Sequence, residues 1–136
     1  MIRAVAIVAL ATGAAACDDP GPTAPIIDTP VVETITETYS GTLARNGAVT
    51  FPFAVSAAGA ATASLAGILP DNTVALGFSM GTWNGTTCNT VISNDNAREF
   101  TQLVGSAGSA GALCLRIHDV GRLSNPVTFT LTVVHP

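Results

Sequence analysis

Val127-Thr-Phe-Thr-Leu-Thr-Val133 alternates apolar and hydroxyl-bearing residues at every step. Only an extended strand, whose successive side chains point to opposite faces, sorts such a pattern into one apolar face and one polar face. The same period recurs along most of the chain. Val31, Ile35, Tyr39 and Leu43 share one parity, and Thr34, Thr36, Thr38, Ser40 and Thr42 the other, which predicts a strand over Val31 to Leu43. Val49, Phe51, Phe53 and Val55 make a second apolar face, and Pro52 within it, with no N–H to donate, points to an edge strand or a bulge. Ala61, Ala63 and Leu65 repeat the pattern, as do Val74 to Met80, Cys88 to Ile92, and Leu113 to Ile117. Nowhere after residue 30 does an i, i+3, i+4, i+7 pattern persist for the length of a helix.

Turn chemistry separates these runs. Asn46-Gly47, Pro70-Asp71-Asn72, Asn84-Gly85 and Asn94-Asp95-Asn96 are read as turns, Phe100 to Val104 as a short strand, and Gly105 to Gly111 as a flexible connection. About eight short strands at such intervals predict an all-β fold, two antiparallel sheets packed face to face in a jelly-roll-like β-sandwich. The apolar positions are rich in alanine, so a covalent staple carries weight. A Cys88 to Cys114 disulfide would close a loop of about 26 residues and contribute roughly 3.5 kcal/mol in a chain-entropy picture. Two unpaired buried thiols are the alternative.

The N-terminus fixes an address. Arg3 supplies a positive start, Ala4 to Ala11 an apolar segment, and Ala14-Ala15-Ala16 the small residues of a cleavage site, ahead of Cys17 and the charges of Asp18 and Asp19. The apolar run falls short of the roughly 20 residues that cross a bilayer as a helix, so it reads as a cleaved export signal. Ala14-Ala15-Ala16-Cys17 resembles a bacterial lipobox with Ala14 where leucine is usual, while Ala14-x-Ala16 also suits an ordinary leader peptidase. Three cysteines favour the first reading, because a Cys88 to Cys114 pair in an oxidising compartment leaves Cys17 over. Lipid on Cys17 would make the membrane a partner, with several acyl chains giving a stable anchor. Residues 1–16 are thus a lipoprotein signal, residues 17–30, with four prolines, an extended tether, and residues 31–136 the β-sandwich. The tether segment has the composition of a plain disordered end as well.

Charged residues make up 10% of the 136, the five basic ones are all arginine, and the net charge is −4. No stretch clusters arginine, which argues against nucleic acid or an anionic surface as a partner of the folded part. No cofactor motif is present.

Tyr39-Ser-Gly-Thr-Leu43, Phe51-Pro-Phe-Ala-Val55, Ala57-Ala-Gly59 leading to Leu65, Ala110-Gly-Ala-Leu-Cys-Leu-Arg-Ile117 and Pro126-Val-Thr-Phe-Thr-Leu-Thr-Val133 together resemble the bacterial pre-peptidase C-terminal domain. The resemblance spans nearly the whole region from Glu33 to His135. It implies a β-sandwich accessory module that aids secretion, stability or attachment to a substrate, in a family some of whose members bind calcium or polymers.

Three groups of residues invite a functional reading, each with a structural counterpart. Asn94-Asp95-Asn96 with Glu99 gathers oxygen atoms for a hard cation but offers only two carboxylates, and a solvated turn explains the same residues. His118-Asp119 and His135 suggest a general base, yet no Gly-x-Ser-x-Gly elbow, metal-binding His pair or Cys/His signature accompanies them. His118 shares its parity with Arg116, as an outward polar residue would. Trp83 with Asn84, at a hairpin end, could stack on a sugar or a protein partner, or simply cover the hairpin. The sequence therefore predicts a non-enzymatic lipoprotein of the bacterial cell envelope that carries a binding or accessory module for an envelope protein or polysaccharide. A soluble secreted polysaccharide- or matrix-binding module is the alternative, and a small envelope hydrolase a remoter one.

Overall fold

The computed structural model describes residues 21–136. Residues 21–34 carry no regular structure and are exposed. The period-two segments become eight strands: β1 (Ile35–Leu43), β2 (Ala48–Val55), β3 (Gly59–Leu69), β4 (Leu76–Trp83), β5 (Cys88–Ala97), β6 (Gln102–Ala107), β7 (Gly111–His118) and β8 (Val127–His135). They form two four-stranded antiparallel sheets, ordered β1-β8-β3-β6 and β2-β7-β4-β5. Only β4 and β5 are consecutive neighbours within a sheet. Every other connection passes from one sheet to the other, the winding of a jelly roll.

The apolar parity of each strand turns inward. Phe129, Leu131 and Val133 of β8 meet Phe78 and Met80 of β4 and Leu115 and Ile117 of β7 in one core. Small side chains, Ala61, Ala63, Ala97 and Ala107, are buried in the same core. Pro52 sits on β2, an edge strand paired only with β7, where its missing N–H breaks no second ladder.

Four segments differ from the sequence expectation. First, β1 begins at Ile35 rather than Val31, because its partner β8 ends at His135, just before Pro136, which has no N–H to donate. Val31 is accordingly 94% exposed. Second, Asn94-Asp95-Asn96 is strand, not turn. β5 bulges there, with Asn94 facing Phe78 and Ala97 facing Leu76, and the Asn94 side-chain oxygen accepts the Asn96 N–H that the bulge leaves over (2.9 Å). Third, β6 runs on through Gly105 to Ala107. A side chain at Gly105 would come within 2.7 Å of Met80 Cε and 3.1 Å of Ile92 Cδ1, so this glycine makes room for two long core residues rather than flexibility. Fourth, Phe100 lies outside β6, exposed, with φ at 69°. Its N–H donates to Leu65 O, and Leu65 N–H donates to Thr101 O, so the β5–β6 turn carries the β3–β6 pairing one residue beyond Ser64 and Gln102.

Cys88 and Cys114 form a disulfide. Cys114 is registered against Gly81 and Cys88 against Trp83, so the bridge joins β7 to β5 across the intervening β4. Their Cα atoms are 5.8 Å apart, whereas flat next-but-one strands would stand roughly 9.5 Å apart. The start of β5 therefore folds over β4. Gly81 permits the crossing, since a Cβ there would collide with the Asn89 carbonyl.

Candidate functional site

Cys17, the expected lipid attachment, and the leader lie outside the described residues. Trp83 is half-buried at the end of β4 and is not among the residues that pack on the core cluster. Asn84 builds the turn beside it. Its Oδ1 accepts the N–H groups of Thr86 (2.9 Å) and Thr87 (2.7 Å), and its Nδ2 donates to Thr87 Oγ1 (2.9 Å). Gly85, at φ 97°, completes a loop of four residues where the Asn-Gly pair alone suggested a tighter one.

The oxygen-rich residues of β5 and the following turn are engaged in holding loops together. Asn96 Oδ1 accepts from Arg122 Nη1 (2.8 Å), and Glu99 Oε2 from Asn72 Nδ2 (3.0 Å). Arg98 Nη1 donates to Thr73 O (2.6 Å), and Asp71 Oδ1 accepts both the N–H and the hydroxyl of Thr73. Those two Thr73 bonds hold the Asp71 carboxyl below its usual range, the hydroxyl more than the N–H. Among the described residues no three His, Cys, Asp or Glu side chains converge as a metal site would require. A shallow cavity of about 200 Å³ opens at this end of the sandwich, lined by Pro70, Asp71, Arg122 and Asn125 among others.

The structure separates His118 from Asp119. Asp119 Oδ1 accepts the N–H groups of Gly121, Arg122 and Leu123, and its Oδ2 accepts that of Asn46 from the β1–β2 loop. Burial raises its pKa, but these four bonds outweigh it and leave the carboxyl below its ordinary value. Asp119 is a clamp on two loops. His118 lies on the outer face of the second sheet over Gly77, where a Cβ would fall inside its imidazole. Its Nδ1 is buried with no protein partner, and its Nε2 is 3.6 Å from Asp95 Oδ1. Burial, reinforced by Arg116, lowers its pKa against the weaker pull of Asp95 and Asp119. Ser79, the next outward residue of β4, is also covered, its hydroxyl donating to Arg116 O at 3.4 Å.

His135 is fully buried at the seam between β8 and β2, its ring 4.9 Å from that of Phe53. Its Nε2 is 2.9 Å from Glu37 Oε1, and its Nδ1 is 3.1 Å from Pro136 O. Tyr39 donates to the other Glu37 oxygen at 2.5 Å and stacks on Phe51. The Tyr39 bond, opposed by burial and then aided by His135, lowers the Glu37 pKa; burial and the same bond raise that of Tyr39. Glu37 did not stand out among the sequence candidates, although its parity with Tyr39 and Leu43 places an acid on the apolar face of β1.

The two outer faces differ. That of the second sheet is occupied by His118, Arg116 and the disulfide strand. That of the first sheet is open: a row Thr38–Thr132–Ser64–Gln102 crosses all four strands in register. The rows on either side are Thr36–Val134–Thr62–Val104 and Ser40–Thr130–Gly67. The only ionisable residues in β1, β8, β3 and β6 are Glu37, Tyr39 and His135, all three turned inward. Neither the protein-family models nor the curated proteins match this chain.

Proposed function

We propose that this chain is a non-enzymatic lipoprotein of the bacterial cell envelope, anchored by acyl chains on Cys17, whose β-sandwich is a binding or accessory module akin to the pre-peptidase C-terminal domain. One observation carries the reading of the folded part. Asp119 and His135, two of the three groups singled out for catalysis, are engaged in a loop clamp and a buried seam, and His118 lies over Gly77, while among the described residues nothing covers the outer face of the sheet β1-β8-β3-β6. That division suits a domain that presents a surface rather than a reaction centre. The residues before Asp18 support the anchor, through the charge, apolar run, small residues and cysteine described above. The test joins two measurements. Detergent partitioning of the full chain and of Cys17→Ala should place the first in the detergent phase and the second in the aqueous phase. A pull-down against envelope proteins and polysaccharides, run beside a panel of hydrolase substrates, should yield capture without turnover. Turnover of any substrate would remove the binding-module reading, and equal partitioning would remove the anchor.

A further inference from the structure

We infer that the outer face of the sheet β1-β8-β3-β6 is a docking surface for a neutral polysaccharide, an inference that deepens the binding-module reading and rests on it. Three observations lead there. The first is chemical. Thr38, Ser40, Ser64, Thr130, Thr132 and Gln102 stand in aligned rows, and none of their side chains has a protein hydrogen-bond partner among the described residues. The serine and threonine hydroxyls bonded within the protein belong to residues elsewhere, such as Thr73, Ser79, Thr87 and Thr101. Each free hydroxyl donates one bond and accepts others, the same capacity that a sugar hydroxyl offers in return.

The second observation is charge. The four strands contribute no ionisable side chain to this face, and the Glu99 carboxylate, from the β5–β6 turn, approaches it at Gly67. An uncharged face gives a polyanion nothing to pair with and imposes no desolvation of ions on a neutral chain. The third is size. Four strands about 4.8 Å apart and some seven residues of about 3.3 Å each span roughly 400 Å². A stable dimer needs about 800 Å² per partner, centred on aromatic or arginine anchors, and the face has neither. An extended polymer lying across the rows needs less area and gains from repetition along its length.

The experiment uses the chain as the cell exports it. Amorphous cellulose, β-1,3-glucan and chitin serve as neutral probes, and polygalacturonate as the anionic one. The comparison variant, Thr38→Val with Ser64→Ala, Thr130→Val and Thr132→Val, removes hydroxyls while keeping strand-forming shapes, and its thermal melt verifies the fold. Retention on at least one neutral polymer, unchanged in 0.5 M salt, lost at least tenfold in the variant and kept in Trp83→Ala, is expected. Retention that the variant preserves would overturn the assignment of the face while leaving the binding-module reading standing. Retention only by polygalacturonate, or self-association abolished by the four substitutions, would replace the neutral polymer with another occupant. A chain that no neutral polymer retains, yet that captures an envelope protein, would refute the inference alone; one that captures nothing would refute both.

Discussion

Two single residues decide how β4 is covered, and neither advertises itself in the sequence. Gly77 and Gly81 occur in an apolar strand where glycine weakens pairing, yet one accommodates the His118 ring and the other the passage of β5. Gly77→Ala should destabilise the domain by about 1–3 kcal/mol, the usual cost of overpacking, because the imidazole must leave its place. In a His118→Ala background the same substitution should cost little, and urea denaturation of the four variants measures the difference. Glu37 makes a prediction about pH. Its folded pKa lies below the ordinary value of 4.5, so the unfolded chain binds its proton first. The stability this provides is present above about pH 4.5 and is lost as pH falls through the folded value. The gap in stability between wild type and Glu37→Gln should therefore be constant near neutrality and shrink in acid. A gap that widened in acid would contradict the network of Tyr39, Glu37 and His135.

At the scale of elements the disulfide replaces a ladder that geometry forbids, since β5 and β7 are not neighbours in their sheet. Cys88→Ala with Cys114→Ala should lower stability by roughly 3.5 kcal/mol on loop-closure grounds, shown as a lower urea midpoint and equal to the loss on reduction. Hydrogen exchange should quicken first in β5, whose start is held over β4 by that link. Most strands were legible because they bury one face, so that apolar and polar residues must alternate, and β4, buried on both faces, still alternates Leu76, Phe78 and Met80 with Gly77, Ser79 and Gly81. β5 is the exception. As an edge strand exposed along most of both faces, it gains nothing from apolar residues, and Asn94-Asp95-Asn96 therefore has turn-like composition inside a bulged strand. Gly105 misled for a related reason: its place is taken by Met80 and Ile92, which come from other strands and leave no local mark. The Cys88–Cys114 pairing and the inward parity of Glu37 could be read from sequence. The partition of Asp119 from His118, and the open hydroxyl face, could not, because they depend on which strands become neighbours.

Across the whole molecule, the folded unit is Val31–Pro136, and the segment between Cys17 and β1 has a different physical task. A composition with four prolines in residues 18–30 favours an extended spacer with little to bury, which under the proposed anchoring would set distance rather than stability. Seventeen residues separate Cys17 from Ile35, which bounds the reach of the tether at about 60 Å when fully extended. Under the proposed anchoring, that reach would let the hydroxyl face meet a polymer while acyl chains on Cys17 stay in the bilayer, and the two attachments would act as linked sites. Deleting residues 20–30 should leave the thermal midpoint within about 2 °C of the parent, because residues 21–30 are exposed and outside every strand, whereas a 1 kcal/mol loss would shift it by about 4–8 °C. The same deletion should reduce retention of membrane vesicles on a neutral polymer without changing retention of the detergent-solubilised chain. A midpoint that fell by 5 °C or more would make the segment part of the fold, and equal loss of both retentions would make it part of the binding surface.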